Sequence, residues 1–245
     1  MTWLLAQGGG GPVIPNFGGG SQSCVRQNTG FCWGWVQDNW SDVLWPALRD
    51  HIVLTLIAVG VGFVIAFTLA VIAHRRGWLE QPVSVVSQIL YTIPSLALFQ
   101  ILVAVTGLTR LTAEIALVSY TLLILFRNTL AGLRGVPDEV RESAQGMGLT
   151  QRQILWKVEF PLALPAIVAG VRIATVTVIS LATIAAYIIN QGLGAPIFSA
   201  IQEGIFKTEL YAAGFLAVAL ALIADGALLF AQWIATPWAR RSARA

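Results

Sequence analysis

The sequence predicts an all-α, polytopic membrane protein with about five transmembrane helices. Hydrophobic residues make up 56% of the 245 residues and charged residues only 11%, and the mean hydropathy is +0.73. Soluble domains carry about 25% charged residues, so this composition is typical of a membrane protein. The apolar residues also form segments long enough to cross about 30 Å of hydrocarbon as helices.

Composition also argues against several classes of function. The net charge is +3, but the basic residues lie between apolar segments, so we expect no nucleic-acid partner. Two cysteines and two histidines, without a C-x-x-C, do not suffice for a metal site. No G-x-x-x-x-G-K-[ST] loop is present to cradle phosphates, so we expect no cofactor in this chain and no ATP hydrolysis by it. The sequence shows no catalytic triad, carboxylate pair or metal cluster, which argues against an intramembrane enzyme.

Residues 1–50 are predicted to form an external N-terminal extension. Residues 1–20 are rich in glycine and proline and lack the basic start of a cleavable signal peptide, so we expect a flexible tail. Cys24 and Cys32 bracket a short loop, and in an oxidising compartment they would form a disulfide; a pair of free thiols is the alternative. A helix lying in the membrane interface is indicated by the spacing of Trp33, Trp35, Trp40 and Trp45.

The transmembrane domain is predicted over residues 51–236. Its first three spans are Ile52–Ala73, about Val83–Val105 and about Leu111–Phe126. Pro94 interrupts the second span, because a proline leaves one backbone carbonyl without its helical partner. Such a carbonyl is tolerated where a neighbour or a water-filled path satisfies it, so Pro94 indicates either a translocation path or a simple packing kink.

The last two spans are predicted at about Ala163–Ile189 and Leu210–Ile234. The loop between them, residues 190–209, is too broken by glycine, proline and charge to span, so we expect an external loop with at most one short helix. Residues 237–245 form a basic tail that we expect in the cytoplasm.

Basic residues predict the orientation, with the N-terminus outside and the C-terminus in the cytoplasm. With five spans in that orientation, the basic loop residues that lie outside are only Arg26, Arg49, Arg110 and Lys207. The cytoplasmic side then receives a larger group of basic residues, namely Arg75, Arg76, Arg127, Arg134, Arg141, Arg152, Lys157, Arg240, Arg241 and Arg244.

A polar segment from Pro137 to Pro161 lies within the predicted cytoplasmic loop, residues 127–161, between spans three and four. Pro137 suits the first turn of a helix, and Asp138 and Glu139 place negative charge at the positive helix end. Gly146 and Gly148 then allow a turn. A second helix is predicted to begin at a capping box of Thr150 and Gln153, and to end or kink at Pro161.

Two opposite charges lie inside the predicted spans, Arg172 in the fourth and Asp225 in the fifth. At 1.5 Å per residue, both lie about 13 Å from the cytoplasmic ends of their spans. Charges within a membrane are costly and usually paired, so we predict an ion pair. The alternative is that each charge meets backbone or water separately.

Polar and aromatic interruptions of the spans are candidates for lining a translocation path. Packing against a neighbouring subunit explains each of them equally well. They are Tyr91, Pro94, Ser95, Tyr120, Thr183 and Asn190.

The polar segment resembles the coupling motif of ATP-binding-cassette (ABC) importer permeases, E-A-A-x3-G-x9-I-x-L-P. Here it reads Glu142-Ser143-Ala144, Gly148, Val158, Phe160 and Pro161 with all spacings kept; Ser143, Val158 and Phe160 depart from the pattern. In that family the loop docks on an ATPase subunit. The resemblance therefore implies a type I importer permease fold and a contact formed by Glu142, Ser143, Ala144, Gly148 and Leu149. An ordinary amphipathic loop is the alternative.

Further motifs are similar to the osmoprotectant branch of these permeases, which imports glycine betaine, choline and related compounds. They are Thr92-Ile93-Pro94-Ser95-Leu96-Ala97, Arg127-Asn128-Thr129, Gly132-Leu133, Gly146-Met147-Gly148, Ala169-Gly170-Val171-Arg172 and Gly192-Leu193-Gly194. Ile124 stands where the family commonly has proline, and Gln191 where it usually has a further glycine. The N-terminal extension lies outside the resemblance.

The resemblance implies an assembly in a bacterial plasma membrane. Its other members would be a second permease, identical or related, two ATPase subunits that bind ATP and Mg²⁺, and an external substrate-binding protein. Two other functions fit less well: a permease for methionine or another amino acid, which shares the coupling loop, and an ATP-independent scaffold or channel. The spacing of the coupling motif argues against the scaffold or channel.

Overall fold

The computed structural model describes residues 22–28 and 30–238, and every regular element in them is a helix. Residues 1–20 and the end of the basic tail, with Arg240, Arg241 and Arg244, lie outside the described residues. The elements in chain order are α1 (Gln22–Gln27), α2 (Trp33–Asp38), a π-helical turn (Trp40–Leu44), α3 (Trp45–Arg75), a 3₁₀ turn (Gly77–Leu79), α4 (Glu80–Thr92), α5 (Ser95–Thr106), α6 (Arg110–Arg134), α7 (Asp138–Gly146), α8 (Gln151–Ile154), a second π-helical turn (Leu155–Glu159), α9 (Phe160–Ile189), α10 (Gly194–Gln202) and α11 (Lys207–Ala235).

Four helical stretches of the described residues are long and apolar enough to cross a membrane, namely Trp40–Arg75, Arg110–Arg134, Gln151–Ile189 and Lys207–Ala235. The predicted second span is not a single helix. It is divided into α4, with the 3₁₀ turn before it, and α5, which meet at an angle of 98°. Ile93 has extended backbone, as a residue before proline prefers, and Pro94 cannot donate to the preceding turn. The predicted interruption is therefore a sharp break.

Two span ends differ from the prediction. The third span continues to Arg134 rather than ending near Phe126, so the predicted loop 127–161 begins inside a helix. Pro161 does not end the helical run: α8, a π-helical turn and α9 are continuous, and Pro161 lies in the first turn of α9. The π-helical turn lies just before Pro161, where a proline within a helical run lacks one backbone donor and disturbs the regular hydrogen bonding.

Helix α6 is the centre of the bundle and packs between α3 and α9. The contacts use small side chains, among them Ala58, Ala66, Ala70, Ala113 and Ala116, which are fully or almost fully buried. Small residues let helix backbones approach closely, which is how helices associate in a membrane. Two ends of the bundle result: the α7 end, which carries the polar segment, and the α10 end, which carries α10 and the N-terminal segment.

At the α10 end, the N-terminal segment packs on the start of α11. Cys24 and Cys32 form a disulfide, and Trp35 meets Phe206 edge to face with ring centroids 5.3 Å apart. Trp35 is therefore buried, which differs from the predicted helix that lies wholly in the interface. The remaining tryptophans of that group are exposed, and they are Trp33, Trp40 and Trp45.

Candidate coupling and pathway sites

The polar segment folds as a helix, a glycine turn and a second helix. Gly148 has a φ of +82°, a left-handed conformation that glycine adopts without a steric cost. Thr150 begins α8 with the predicted capping box: its side chain accepts from the Gln153 backbone, and Gln153 accepts from the Thr150 N–H. Both ends of the turn are thus held by local hydrogen bonds.

The residues that the resemblance assigned to the ATPase contact divide into two groups. Glu142, Ser143 and Gly148 are exposed on α7 and its turn, whereas Ala144 is buried against the bundle and Leu149 is half-buried. Met147, between the two glycines, is 73% exposed. An exposed apolar side chain among exposed polar residues is suited to a protein contact.

Arg141 connects α7 to the spans, a role that the sequence did not reveal. Its guanidinium donates to Asp138 Oδ1 (2.6 Å), to Glu159 Oε1 (2.8 Å) and to the Leu133 carbonyl (2.8 Å). Burial opposes the charged form, but the hydrogen bonds that Arg141 donates to Glu159 and Asp138 raise the pKa of Arg141 above its usual value. The helix of the polar segment is thereby attached to the last turn of α6 and to the start of α9.

Glu159 extends this connection to α3. Its side chain is buried in the π-helical turn, and its Oε1 lies 3.3 Å from His74 Nε2 near the end of α3. Arg75 also donates to the Gln151 carbonyl at 3.2 Å. Three spans therefore meet α7 through Arg141 and the buried Glu159 carboxylate. Arg141 and Glu159 are separated by 18 residues and lie in different helical elements. Helical periodicity therefore does not relate them, and the sequence shows only two opposite charges.

Four of the predicted pathway residues come together at the break between α4 and α5. The Tyr120 hydroxyl donates to the Ile93 carbonyl, which lies at the end of α4, and the Tyr91 and Tyr120 rings meet edge to face with centroids 6.0 Å apart. Pro94 and Ser95 form the break itself. A neighbouring hydroxyl therefore satisfies the carbonyl freed by the break, as a polar interruption in a membrane requires.

The other two predicted pathway residues make different contacts, on α9. Thr183 donates to the Ile179 carbonyl of its own helix at 3.1 Å, and Asn190 is the exposed, left-handed residue that ends α9. The prediction did not distinguish them from the residues at the break, because all six were chosen only as interruptions of apolar runs.

Two adjoining cavities, of about 550 and 660 Å³, follow α4 from the break towards the α7 end. Val85 and Gln88 line both of them. The first reaches Ile93 at the break, and the second is lined on its far side by α6, including Arg127 and Arg134. The structure thus has a continuous, partly polar cleft on one face of the chain.

At the α10 end, His51 joins two spans to the loop, a role that the sequence also did not reveal. Its side chain is fully buried in α3; Nδ1 accepts from the Leu193 N–H at 3.1 Å, and Nε2 lies 3.0 Å from the Ile179 carbonyl. Because Nδ1 accepts, Nε2 carries the proton and donates, so both bonds require the neutral ring. Gly192, with a φ of +76°, allows the loop to approach His51 closely.

The two intramembrane charges meet in the structure. Arg172 donates from Nε to Asp225 Oδ1 and from Nη2 to Oδ2, both at 2.8 Å, a bidentate ion pair between α9 and α11. The two side chains are partly exposed, and a cavity of about 390 Å³ lies beside them.

We expect Arg172→Leu and Asp225→Leu each to lower the unfolding temperature in detergent, because either change leaves one charge unpaired within a span. The double variant should lose less than the sum of the two losses. Thr177→Val provides a control: Thr177 lines the same cavity but donates to Ile173 of its own helix. The decrease in unfolding temperature caused by Thr177→Val should add to the decrease caused by Asp225→Leu. Additive decreases for Arg172→Leu and Asp225→Leu would contradict an energetic coupling between the two charges.

Comparison with known proteins now identifies the family. Residues 58–236 match the family described as binding-protein-dependent transport system inner membrane component. The chain belongs to this family. It is therefore a multi-pass membrane permease subunit of an ABC importer, as expected, and ATP hydrolysis belongs to separate ATPase subunits. Importers of this family generally also include a partner permease and a substrate-binding protein.

Several relatives of the permease are named for their substrates. The permease is 37% identical to the carnitine transport permease protein OpuCB of Listeria monocytogenes, over 80% of this chain and 89% of the relative. It is 34% identical to the choline transport system permease protein OpuBB of Bacillus subtilis (82% and 92%). It is 36% identical to the osmoprotectant import permease protein OsmW of Salmonella typhimurium (77% and 89%).

A solved structure shares the fold of the permease. The inward-facing MetNI methionine ABC transporter superposes with a TM-score of 0.71, over 79% of this chain and 96% of that chain. The sequence identity is 22%, so this similarity shows the fold alone. The expected all-α, type I importer permease fold is confirmed, and the relatives favour the osmoprotectant branch over a methionine permease.

Proposed function

We propose that this permease forms the translocation path of an ATP-driven importer for small quaternary ammonium osmoprotectants, such as glycine betaine, choline or carnitine. The substrate class is supported by the names of relatives at 34–37% identity. The observation that carries the mechanism is the attachment of α7 to three spans through Arg141 and Glu159.

The proposed orientation in the bacterial plasma membrane places the α7 end in the cytoplasm and the α10 end outside. The excess of basic residues on the α7 side supports it, through the positive-inside rule. The disulfide between Cys24 and Cys32 then faces an oxidising compartment, which suits its presence there. The α10 end, with the N-terminal segment, faces the substrate-binding protein.

Coupling is proposed to occur through the exposed face of α7. Glu142, Ser143, Met147 and Gly148 would contact one ATPase subunit, while buried Ala144 and half-buried Leu149 seat the turn on the bundle. ATP binding moves the ATPase subunits, and Arg141 passes that displacement to α6, α9 and α3 as one rigid connection. Such rigid-body motion opens the path alternately to the two sides.

The path is proposed to run along the cleft beside α4, with the broken helix at Tyr91, Pro94 and Ser95 near its middle. Irregular backbone in a membrane is tolerated where it lines a water-filled cavity. Thr183 and Asn190 lie nearer the external end. One chain leaves the cleft open on one face, so a second permease, identical or related, closes it, and two ATPase subunits complete the assembly.

This proposal is tested by affinity purification of the tagged permease in mild detergent, with identification of the chains that co-purify and an ATPase assay. We expect an ATPase subunit to co-purify with the permease. Recovery should fall in Glu142→Ala, which removes an exposed carboxylate, and in Gly148→Ala, where a Cβ is strained at positive φ. Glu203→Ala, an exposed carboxylate at the α10 end, is the matched control. Recovery of the permease alone, also in lipid nanodiscs, would contradict the proposal.

A further inference from the structure

The larger cavity beside α4 holds an unbalanced positive charge. Its polar lining includes Arg127 and Arg134 of α6 and Glu80 and Gln88 of α4. Arg134 is neutralised by Glu80, with N–O distances of 2.6 and 2.8 Å. Arg127 instead donates to the uncharged side chain of Gln88 at 3.0 Å. Within the part of the chain that the structure describes, no carboxylate pairs with Arg127.

The position of Arg127 makes this charge unusual. Arg127 lies two turns before the end of α6 at Arg134, about 10 Å along the helix axis from that end, and its side chain is exposed on the cleft. A charged side chain at such depth faces the bundle interior or a water-filled cavity and marks a substrate or ion route by default. The cavity of about 660 Å³ beside it is large enough for a small solute, and it adjoins the one that reaches the break at Ile93.

The chemistry of the guanidinium selects the ligand. A guanidinium presents five N–H donors in a planar fork, which matches the two oxygens of a carboxylate. Gln88 occupies one of these donors and fixes the direction of the side chain. The remaining donors face a cavity whose one lining carboxylate, Glu80, is already paired with Arg134. A trimethylammonium group, in contrast, is repelled by this positive charge.

We propose that Arg127, oriented by Gln88, binds the carboxylate of a zwitterionic substrate on its way through the permease. This inference rests on the proposed function and deepens it: the path distinguishes carboxylate-bearing betaines from a purely cationic substrate. The distinction is made inside the membrane, in addition to any selection by the substrate-binding protein.

Glycine betaine and choline provide a matched pair of probes, because they share the trimethylammonium group. Glycine betaine carries a carboxylate where choline carries a hydroxymethyl group. Transport of each is measured in proteoliposomes with the complete importer and saturating binding protein and substrate, so that the affinity of the binding protein does not enter. We expect Arg127→Gln to lower the ratio of the glycine betaine rate to the choline rate by about 10- to 100-fold, the range of one charge-assisted hydrogen-bonded contact. Arg127→Lys, which keeps the charge without the fork, should lower it less.

Two further variants make the result specific. Gln88→Glu supplies Arg127 with a carboxylate within the protein, so it should lower the same ratio while it adds an ion pair to the fold. Arg76→Gln, the same change of charge at the exposed end of α3, should leave the ratio unchanged.

Several outcomes would overturn the inference. One is an unchanged ratio in both Arg127→Gln and Gln88→Glu, and another is an equal shift in Arg76→Gln. A loss of both transport rates in Arg127→Gln, with the ratio of Gln88→Glu unchanged, would show a structural role only. If the unmodified importer carries neither probe, the proposed function itself fails, and this inference fails with it.

Discussion

Replacement of Arg141 by methionine is expected to lower the free energy of unfolding by about 3 kcal/mol, because it leaves the buried Glu159 carboxylate without its guanidinium. The Leu133 carbonyl loses a donor in the same variant. The double variant Arg141→Met, Glu159→Met should recover most of this loss, since replacement of both members of a buried ion pair by apolar residues is often nearly neutral. Chemical or thermal unfolding of the purified permease in detergent measures both effects.

Transport should separate from stability in these variants. The double variant folds but lacks the connection between α7 and the spans, so the ATP hydrolysed per substrate molecule transported should rise several-fold. Arg152→Met, the same change at an exposed arginine of α8, is the matched control and should alter neither quantity. Normal coupling in the double variant would show that Arg141 and Glu159 only stabilise the fold.

Replacement of His51 by leucine is the second change with a large expected effect. It leaves the Leu193 N–H without its acceptor in a fully buried site and removes a donor from the Ile179 carbonyl. A buried polar group without a partner costs about 1 to 3 kcal/mol, and the Ile179 carbonyl keeps the Thr183 hydroxyl as a donor, so we expect destabilisation by about 1 to 3 kcal/mol. Because His51 holds the loop that begins α10, amide exchange at Leu193 and in the following turn should become faster by orders of magnitude.

A neighbouring residue separates this effect from a general loss of stability. Thr55 is buried one turn further along α3, and its hydroxyl donates to the His51 carbonyl at 2.9 Å, within the same helix. Thr55→Val should therefore lower stability slightly and leave exchange at Leu193 unchanged. Equal protection of Leu193 in His51→Leu and in the unmodified permease would contradict the role of His51 in holding the loop.

Local chemistry made much of the fold predictable. Apolar length, measured against the thickness of a bilayer, indicated four spanning helices and a fifth apolar segment, which is the bent pair of α4 and α5; Pro94 marked the break between them because a proline cannot donate in a helix. The capping box at Thr150 was also predicted correctly, because all its atoms lie within four residues. The 98° angle at Pro94 was not predictable, because it depends on what the two halves pack against.

The sequence alone was sufficient for the membrane class, the helical architecture and the family motif of the polar segment, because hydropathy, turn chemistry and motif spacing are properties of neighbouring residues. The tertiary structure was needed for the contacts that connect distant segments: Arg141 with Glu159, Arg127 with Gln88 and His51 with Leu193, at separations of 18, 39 and 142 residues. No helical period relates the members of such pairs. Which charge is neutralised, and which faces a cavity unpaired, is decided only when the helices pack.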